Sequence, residues 1–281
     1  MDKELLNQFI KSALKEDLGD GDHTSLSTIP SNASGKAKLL VKEKGIIAGI
    51  QIALEIFKVV DENLKVEVLI KDGALVHVGD IVFYVFGNSR SILIAERLVL
   101  NTMQRMSGIA TTTRKIVDLL SGTPTKVLDT RKTTPNLRFL EKQAVLIGGG
   151  VNHRFGLYDM ILIKDNHVDY AGGIIKAIQA TNDYVKIHQK NIQIEIEVRN
   201  RKELEEVLNI GGVDRILLDN FKFEELRAAV NLIDGRFITE ASGGITSENA
   251  LEYAKCGVDY ISMGALTHSI KSLDMSLKAV L

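Results

Sequence analysis

Residues 192–219 read IQIEIEVRNRKELEEVLNIGGVDRILLD and indicate one strand–helix–strand unit. Apolar runs at 192–196 and 215–218 predict strands, and residues 201–209 predict a helix that should stop at Gly211 and Gly212. The alternation continues, with further strands predicted near 126–128, 160–163, 236–241 and 258–263 and further helices near 172–186, 222–233 and 246–255. This pattern predicts parallel βα units, as in an α/β barrel.

The chain before this region has a different pattern. We predict helices at 2–17 and 50–60, strands at 36–42, 65–70 and 75–86, and a long helix at 91–120 that breaks near Gly108. This part indicates a small sheet with helices. We therefore predict two domains: residues 1–108, and a barrel formed by residues 109–271. A helix at 272–281 is expected to pack back on the first domain.

Composition excludes several classes of protein. The formal net charge of the 281 residues is −1, so no overall field favours nucleic acid or a membrane surface. No apolar stretch is long enough for a membrane span, and the N-terminus lacks the pattern of a secretory signal. The single cysteine, Cys256, cannot form an internal disulfide and is expected to be structural. We therefore expect a cytoplasmic protein.

Basic residues lie in the long predicted helix and in the strand-end loops: Arg97, Arg131, Lys132, Arg138, Arg154 and Lys164, with His153 and His167 nearby. Because the loops after parallel strands meet at one face of a barrel, the loop side chains should converge on one cavity. Guanidinium and ammonium groups bind carboxylates and phosphates, so the pattern predicts a strongly anionic ligand. For Arg131 and Lys132 taken alone, a solvated loop with scattered charges is an equally good interpretation.

Two carboxylates end neighbouring strands. Glu195 and Glu197 alternate in one strand, so both side chains point to the same face, and Glu197 is nearer the C-terminal end. Asp219 ends the next strand in the same way. Glu197 and Asp219 could hold a divalent cation or hydrogen-bond ribose hydroxyls, and their oxygen ligands favour magnesium over zinc. The alternative is a buried salt bridge from each carboxylate to a lysine.

Glycine-containing turns follow the last two predicted strands. Ser242, Gly243 and Gly244 lie between a strand and a helix, where backbone N–H groups can approach a phosphate. Ser262 and Gly264 repeat the arrangement, and phosphate sites on barrels are frequently built from these two loops. Such turns are also common without a ligand. Combined with the cations and carboxylates, they predict an enzyme for a phosphorylated, multiply charged substrate; a non-catalytic phosphate-binding module is the alternative.

Seven ordered motifs resemble the quinolinate phosphoribosyltransferase family, also called nicotinate-nucleotide pyrophosphorylase (carboxylating). They are VLDTRKTTP at 127–135, GGGVNHR at 148–154, IKDNH at 163–167, EIEV at 195–198, LLDN at 217–220, EASGGI at 240–245 and ISMG at 261–264. EDLGDGD at 16–22 and AER at 95–97 extend the resemblance into the first domain. A paralogue of the same architecture, associated with molybdate uptake, is a further alternative.

The resemblance implies an N-terminal α/β sandwich, a C-terminal seven-stranded α/β barrel and a homodimer. In that dimer, one subunit's N-terminal domain would cover the other's barrel. The implied reaction joins quinolinate and phosphoribosyl pyrophosphate with magnesium. Its products are nicotinate mononucleotide, carbon dioxide and pyrophosphate, in de novo NAD biosynthesis.

The resemblance also implies roles for individual residues. Arg131, Arg154 and Lys164 would bind substrate anions, with Lys132 and His153 beside them, and Arg97 would reach into the partner's site. Lys132, Lys164, Glu197 and Asp219 are the candidate catalytic residues, and Glu197 and Asp219 would contact ribose hydroxyls or Mg²⁺. The 5′-phosphate would be held by Ser242, Gly243, Gly244 and Gly264. Thr133 and Ser262 complete the candidate substrate-binding set. The C2 proton could come from Lys132 or Lys164.

Overall fold

A computed structural model describes residues 3–280, which form two compact units. The first contains the chain up to Arg114, Thr134–Gly149 and the segment from Ser269; the second contains Lys115–Thr133 and Gly150–His268. In this division, residues 109–114 and 134–149 belong to the first unit. Residues 1, 2 and 281, which the predicted terminal helices include, lie outside the described part. No helix among residues 3–280 is long and apolar enough to cross a membrane.

The chain up to the long helix contains four helices and five short strands within the described residues. In order they are α1 (Lys3–Leu18), α2 (His23–Thr28), β1 (Ser34–Val41), β2 (Gly45–Ile46), α3 (Ile50–Val60), β3 (Lys65–Val68), β4 (Leu75–Val76), β5 (Ile81–Asn88) and α4 (Ser89–Leu119). The strand predicted at 75–86 is divided into β4 and β5. A turn at Gly79, whose φ of +96° suits glycine, separates them.

The rest of the chain alternates strands with helices until its last strand. The elements are β6 (Lys126–Leu128), α5 (Arg138–Gly148), β7 (Ile161–Ile163), α6 (Asp165–Ala171), α7 (Ile174–Ile187), β8 (Ile194–Val198), α8 (Arg201–Ile210), β9 (Arg215–Asp219), α9 (Phe223–Ile233), β10 (Ile238–Ser242), α10 (Ala250–Ala254), β11 (Tyr260–Ser262), α11 (Ala265–His268) and β12 (Met275–Ala279). The helix predicted at 172–186 is preceded by a separate helix, α6, and the pair Gly172–Gly173 divides the two.

The first unit is built on an antiparallel sheet in the order β12-β1-β5-β3. Leu39 pairs with Leu277 on one side and with Phe83 on the other, and all three side chains are buried. Phe57 of α3 packs edge-on against Phe83, with ring centroids 5.8 Å apart. Burying aromatic side chains of this size contributes about 2–3 kcal/mol each, so this contact anchors the helix to the sheet.

The predicted helix at 272–281 is wrong, because residues Met275–Ala279 form strand β12. It pairs antiparallel with β1, from Ala37 opposite Ala279 to Val41 opposite Met275. Within β12 burial alternates, since Met275 and Leu277 are buried and Lys278 is exposed. That period of two suits a strand, and the pairing satisfies backbone groups that β1 would otherwise leave at a sheet edge.

Helix α4 runs through Gly108 without the predicted break. Glycine is needed there for close approach, because a Cβ at this position would overlap the carbonyl oxygen of Lys271. We expect Gly108→Ala to destabilise the protein by about 1–3 kcal/mol through overpacking. Alanine in an unobstructed helix interior would instead stabilise it by up to about 1 kcal/mol. The sign of the change in melting temperature, measured by thermal unfolding, therefore decides whether this close approach exists.

The second unit contains a six-stranded parallel sheet in the order β6-β11-β10-β9-β8-β7, which matches the predicted α/β class. The seventh strand of the implied barrel is reduced to one residue: Val151 forms an isolated parallel bridge with Leu128. Its N–H donates to Val127 O at 2.9 Å, and its carbonyl accepts from the N–H of Asp129 at 3.2 Å. The strand predicted at 192–196 corresponds to β8, whose residues are all buried. Burial on both faces is expected for a strand lying between a barrel interior and covering helices.

Candidate active site

A cavity of about 360 Å³ lies at the C-terminal ends of the parallel strands. It is lined by Thr130, Arg131, Lys132, His153, Arg154, Leu162, Lys164, Leu217, Glu240, Ser242 and Ser262. The four cations, His153 and the two serines were candidate site residues, and the structure brings all of them together. Arg97 and Arg138, in contrast, belong to the first unit, where Arg97 is exposed on α4.

Four residues that line the cavity were missed: Thr130, Leu162, Leu217 and Glu240. A signal for two of them exists in the sequence. Leu217 lies two residues before Asp219, and Glu240 lies two residues before Ser242. Since side chains two apart on a strand point to the same face, both positions should face the interior with their predicted neighbours.

Larger cavities lie elsewhere in the described residues, but they lack this convergence of cations. One of about 580 Å³ lies against α8 and α9. Its arginines already have acidic partners, because Arg199 pairs with Asp169 and Glu203, and Arg201 pairs with Glu205. Another, of about 590 Å³, lies in the first unit beside α1 and α3. Charge, and not size, therefore identifies the candidate site.

Arg154 brings a guanidinium group into a confined part of the cavity. Its side chain is buried, and its Nη1 donates to the carbonyl oxygen of Met160 at 3.2 Å. Burial lowers the pKa of Arg154, and the nearby charge of Arg131 lowers it further. An anion between the two guanidinium groups would relieve this repulsion, so the arrangement favours a carboxylate or phosphate ligand.

Lys164 and Glu197 form an ion pair at the edge of the site. The Nζ of Lys164 lies 3.4 Å from Oε2 of Glu197. The lysine follows β7 and begins α6, where its backbone N–H donates to Nδ1 of His167 at 2.9 Å. His167 therefore caps a helix and fixes the backbone of Lys164. Burial raises the pKa of Glu197, whereas the charge of Lys164 opposes that shift.

Asp219 is joined to the first glycine turn through Asn220. Burial raises the pKa of Asp219, although the side-chain amide of Asn220 donates to its Oδ2 at 2.6 Å. The backbone N–H of Asn220 donates to Ser242 O at 2.8 Å. A Cβ on Gly243 would overlap the side-chain oxygen of Asn220, so only glycine allows this close approach. The carboxylate and the predicted phosphate turn are thus packed as one assembly.

The second turn, after β11, contacts the loop that carries the first cations. The hydroxyl of Thr267 donates to Lys132 O at 2.7 Å. A Cβ on Gly264 would lie 2.9 Å from Cδ of Lys132. Within the loop, the N–H of Thr133 donates to Arg131 O at 2.9 Å. These contacts hold Lys132 beside the turn at Gly264.

A buried ion cluster adjoins the cavity and consists of His153 and Glu240, which line it, and of Glu195 and Arg215, which do not. Nε2 of His153 lies 2.9 Å from Oε2 of Glu195 and 3.4 Å from Oε2 of Glu240. Nη1 of Arg215 lies 3.3 Å from the same oxygen of Glu240. Glu195 is therefore paired inside the barrel, as the cost of burying a carboxylate requires.

Comparison with protein families finds matches over both parts of the chain. A model described as "Quinolinate phosphoribosyl transferase, C-terminal domain" matches residues 109–278. A model of the corresponding N-terminal domain matches residues 22–107. Together these models cover well over half of the chain.

Curated relatives are similar over nearly the full length. Quinolinate phosphoribosyltransferase [decarboxylating] 2b, mitochondrial, of Nicotiana tabacum is 48% identical over 97% of this chain and 82% of its own. The probable nicotinate-nucleotide pyrophosphorylase [carboxylating] of Bacillus subtilis (strain 168) is 45% identical over 99% of this chain and 93% of its own. Among solved structures, NadC from Streptococcus pyogenes has a TM-score of 0.94 at 38% identity, covering 100% of this chain and 99% of that one.

Proposed function

Because this chain belongs to the quinolinate phosphoribosyltransferase family, we propose that it transfers the phosphoribosyl group of phosphoribosyl pyrophosphate to quinolinate in NAD biosynthesis. The reaction proceeds with decarboxylation and gives nicotinate mononucleotide, carbon dioxide and pyrophosphate. The observation that carries the proposal is the cavity in which Arg131, Lys132, Arg154 and Lys164 converge. Its charge suits two substrates that bring two carboxylates and several phosphate oxygens.

The cations bind and orient the dicarboxylate. Arg131 and Arg154 offer planar forks for carboxylates, and Lys164 adds a point charge. Held in this way, the pyridine nitrogen faces the anomeric carbon of the second substrate, so positioning accounts for much of the rate. Lys132, beside the turn at Gly264, serves the pyrophosphate and 5′-phosphate side of the cavity. The contacts of each residue and the family resemblance support this assignment of Lys132 to the phosphates and of the other three cations to the carboxylates.

Glu197 and Asp219 serve the ribosyl group. As the bond to pyrophosphate breaks, positive charge develops on the ribosyl ring, and two nearby carboxylates stabilise it. They also accept hydrogen bonds from ribose hydroxyls. The 5′-phosphate binds the turns that contain Ser242, Gly243, Gly244, Ser262 and Gly264, with Thr133 close to Lys132. Backbone N–H groups in such turns favour a phosphate.

The donor set also fits magnesium. Mg²⁺ is usually bound by one or two carboxylates, together with substrate phosphates and water. Glu197 and Asp219 provide two carboxylates, and both are already partly desolvated, as the raised pKa of each indicates. A bound Mg²⁺ would neutralise charge on the departing pyrophosphate.

Decarboxylation follows formation of the pyridinium. The bond between C2 and its carboxylate breaks, carbon dioxide leaves, and the electron pair remains at C2 next to the positive nitrogen. A proton must then reach C2. Lys132 and Lys164 are the candidate donors, because both line the cavity and carry transferable protons.

The active site is further proposed to be completed in a homodimer by Arg97 of the neighbouring subunit. Arg97 is exposed on α4 and lies outside the residues that line the cavity.

Cytoplasmic location is likewise proposed for this chain, although plant relatives have names that place them in mitochondria or chloroplasts.

Hybrid dimers test the role of Arg97. We expect Arg97→Ala and Arg131→Ala variants to be inactive alone and to recover activity when mixed, because one of the two sites in a hybrid dimer contains neither substitution. Random exchange of equal amounts should restore about a quarter of wild-type activity, since half of the dimers are hybrids with one intact site. Differently tagged subunits, purified in tandem, would demonstrate exchange. Hybrids that form but remain inactive would contradict a shared site.

Complementation tests the function itself. A bacterium that lacks its own quinolinate phosphoribosyltransferase cannot make NAD from quinolinate and requires nicotinate. We expect this chain to restore growth without nicotinate, and the Arg131→Ala variant, expressed at the same level, to fail. If the soluble wild-type chain does not restore growth, the result favours a paralogue with another substrate, such as one linked to molybdate uptake.

A further inference from the structure

The buried ion cluster contains groups for which the proposed reaction has no direct use. Glu195 and Glu240 are 0% and 1% exposed, and the side chains of His153 and Arg215 are 7% and 11% exposed. Glu195, Arg215 and Glu240 come from the neighbouring strands β8, β9 and β10, whereas His153 follows the bridge at Val151. Glu195 and Arg215 do not line the cavity, so a direct contact with substrate does not explain them.

Stability does not explain the cluster either. Desolvation of buried ions commonly offsets their mutual attraction, and apolar replacements are often as stable. Both carboxylate oxygens of Glu195 and Oε1 of Glu240 are buried without a well-aligned hydrogen bond. The cluster is therefore better explained by what it holds in place.

Both ring nitrogens of His153 are engaged. Nδ1 accepts the backbone N–H of Arg154 at 2.7 Å, and Nε2 faces Glu195 and Glu240. Burial alone would lower the pKa of His153, but the two carboxylates that face Nε2 outweigh this effect and raise the pKa. The Arg154 N–H directed at Nδ1 opposes a second ring proton there, so this contact requires the neutral ring with its proton on Nε2.

This geometry argues against two other roles for His153. His153, Glu195 and Glu240 offer three potential metal-ligand atoms within 4.8 Å of one another. A metal on Nε2 would have to replace the ring proton while Nδ1 already accepts a hydrogen bond, and Arg215 already supplies positive charge there. Direct substrate binding by the ring, the role expected from the sequence, would likewise require one of these contacts to break.

The contacts of His153 lead instead to Arg154. His153 fixes the backbone of Arg154 through Nδ1. The backbone N–H of His153 in turn donates to Oδ1 of Asp129 at 2.8 Å. The negative charge of Glu195 favours the charged form of Arg154, whereas Arg131 opposes it. The carboxylate of Glu195 thus partly offsets the repulsion between the guanidinium groups of Arg131 and Arg154.

We propose that Glu195 and Glu240 are positioning residues that act through His153 to hold the guanidinium of Arg154 in place for a substrate carboxylate. The role rests on the proposed function, because quinolinate supplies that carboxylate. His153 is then a link between the buried charges and the cavity. Arg215 neutralises the second carboxylate, so the interior does not carry excess negative charge.

Glu195→Gln is the direct test, because it removes the charge and keeps the volume. We expect KM for quinolinate to rise about tenfold or more, since small displacements of a binding group are costly, while KM for phosphoribosyl pyrophosphate stays within about twofold. When His153 is already alanine, adding Glu195→Gln should not change KM for quinolinate further, because the side chain that connects Glu195 to Arg154 is absent.

Asp259→Asn is the matched control. Asp259 accepts hydrogen bonds from the N–H and the hydroxyl of Thr239, both at 2.8 Å. These residues lie at the N-terminal ends of β11 and β10, away from the cavity at the C-terminal ends. This variant should lose thermal stability without a selective change in KM for quinolinate.

Equal changes in both KM values for Glu195→Gln, or full additivity with His153→Ala, would overturn the positioning role. If Glu195→Gln does not fold, Glu240→Gln replaces it, and an unchanged KM for quinolinate there would overturn the proposal. Turnover of quinolinate by the wild-type protein in the same kinetic assay tests the proposed function separately.

Discussion

Replacing Arg131 with alanine is expected to lower kcat/KM for quinolinate by about three orders of magnitude and to leave the fold intact. The loss corresponds to about 4 kcal/mol, within the range for truncating one partner of a desolvated charge pair. Arg131 is exposed in the loop after β6, so removing it creates no cavity in the core. Steady-state kinetics with each substrate varied, together with a thermal unfolding curve, measure the two effects.

Arg131→Lys is the control for this prediction. It keeps the positive charge but loses the planar fork, so its activity should lie between those of the wild type and Arg131→Ala. Near-normal turnover in Arg131→Ala would contradict the assignment of this cavity as the quinolinate site. A large fall in melting temperature would instead indicate a structural role.

The neutral variants Glu197→Gln and Asp219→Asn are expected to lose about 10²–10³-fold in kcat, because each removes negative charge placed near the developing positive charge of the ribosyl ring. KM for quinolinate should change less for Asp219→Asn than for Glu197→Gln, because Glu197 forms an ion pair with Lys164, one of the cations assigned to quinolinate. Rapid-quench measurement of a single turnover would show that the chemical step, and not product release, has slowed. Glu252→Gln, which breaks an exposed ion pair with Lys255, is the control and should keep full activity.

Stability should change in the opposite direction. Burial raises the pKa of Glu197 and of Asp219 above the values in the unfolded chain. Ionising each carboxyl therefore opposes folding, and that cost is fully present once the pH exceeds the folded-state pKa. At pH 7 the neutral variants should unfold at the same temperature as the wild type or higher. Lower melting temperatures for both would indicate that the carboxylates stabilise the fold and are not held ready for a ligand.

Much of the second unit was predictable because its signal is local. In β8, apolar residues alternate with Glu195 and Glu197, and this period of two both predicts the strand and orients the carboxylates. The glycine pair after α8 and the acidic end of β9 add boundaries that sequence can show. Convergence of Arg131, Arg154 and Lys164 then follows from the rule that loops after parallel strands share one face.

Other features depend on contacts between distant residues, which one sequence does not reveal. Gly108 resembles a helix breaker, but glycine is needed there because the backbone of Lys271, more than 150 residues later, approaches closely. The sequence at 272–281 predicts a helix, and the strand at Met275–Ala279 is not evident from it because its partner, β1, lies at the other end of the chain. Pairing of His153 with Glu240 joins residues 87 positions apart, so the buried ion cluster was not predictable as a unit.

The most direct test of the central claim is a product assay with quinolinate labelled in its C2 carboxylate. Purified protein, phosphoribosyl pyrophosphate and Mg²⁺ would be added, with unlabelled nicotinate as a parallel acceptor. We predict labelled carbon dioxide and nicotinate mononucleotide in equal amounts from quinolinate, and little or no product from nicotinate. Product from nicotinate in preference to quinolinate, or no product when the protein is folded and both substrates are intact, would contradict the account.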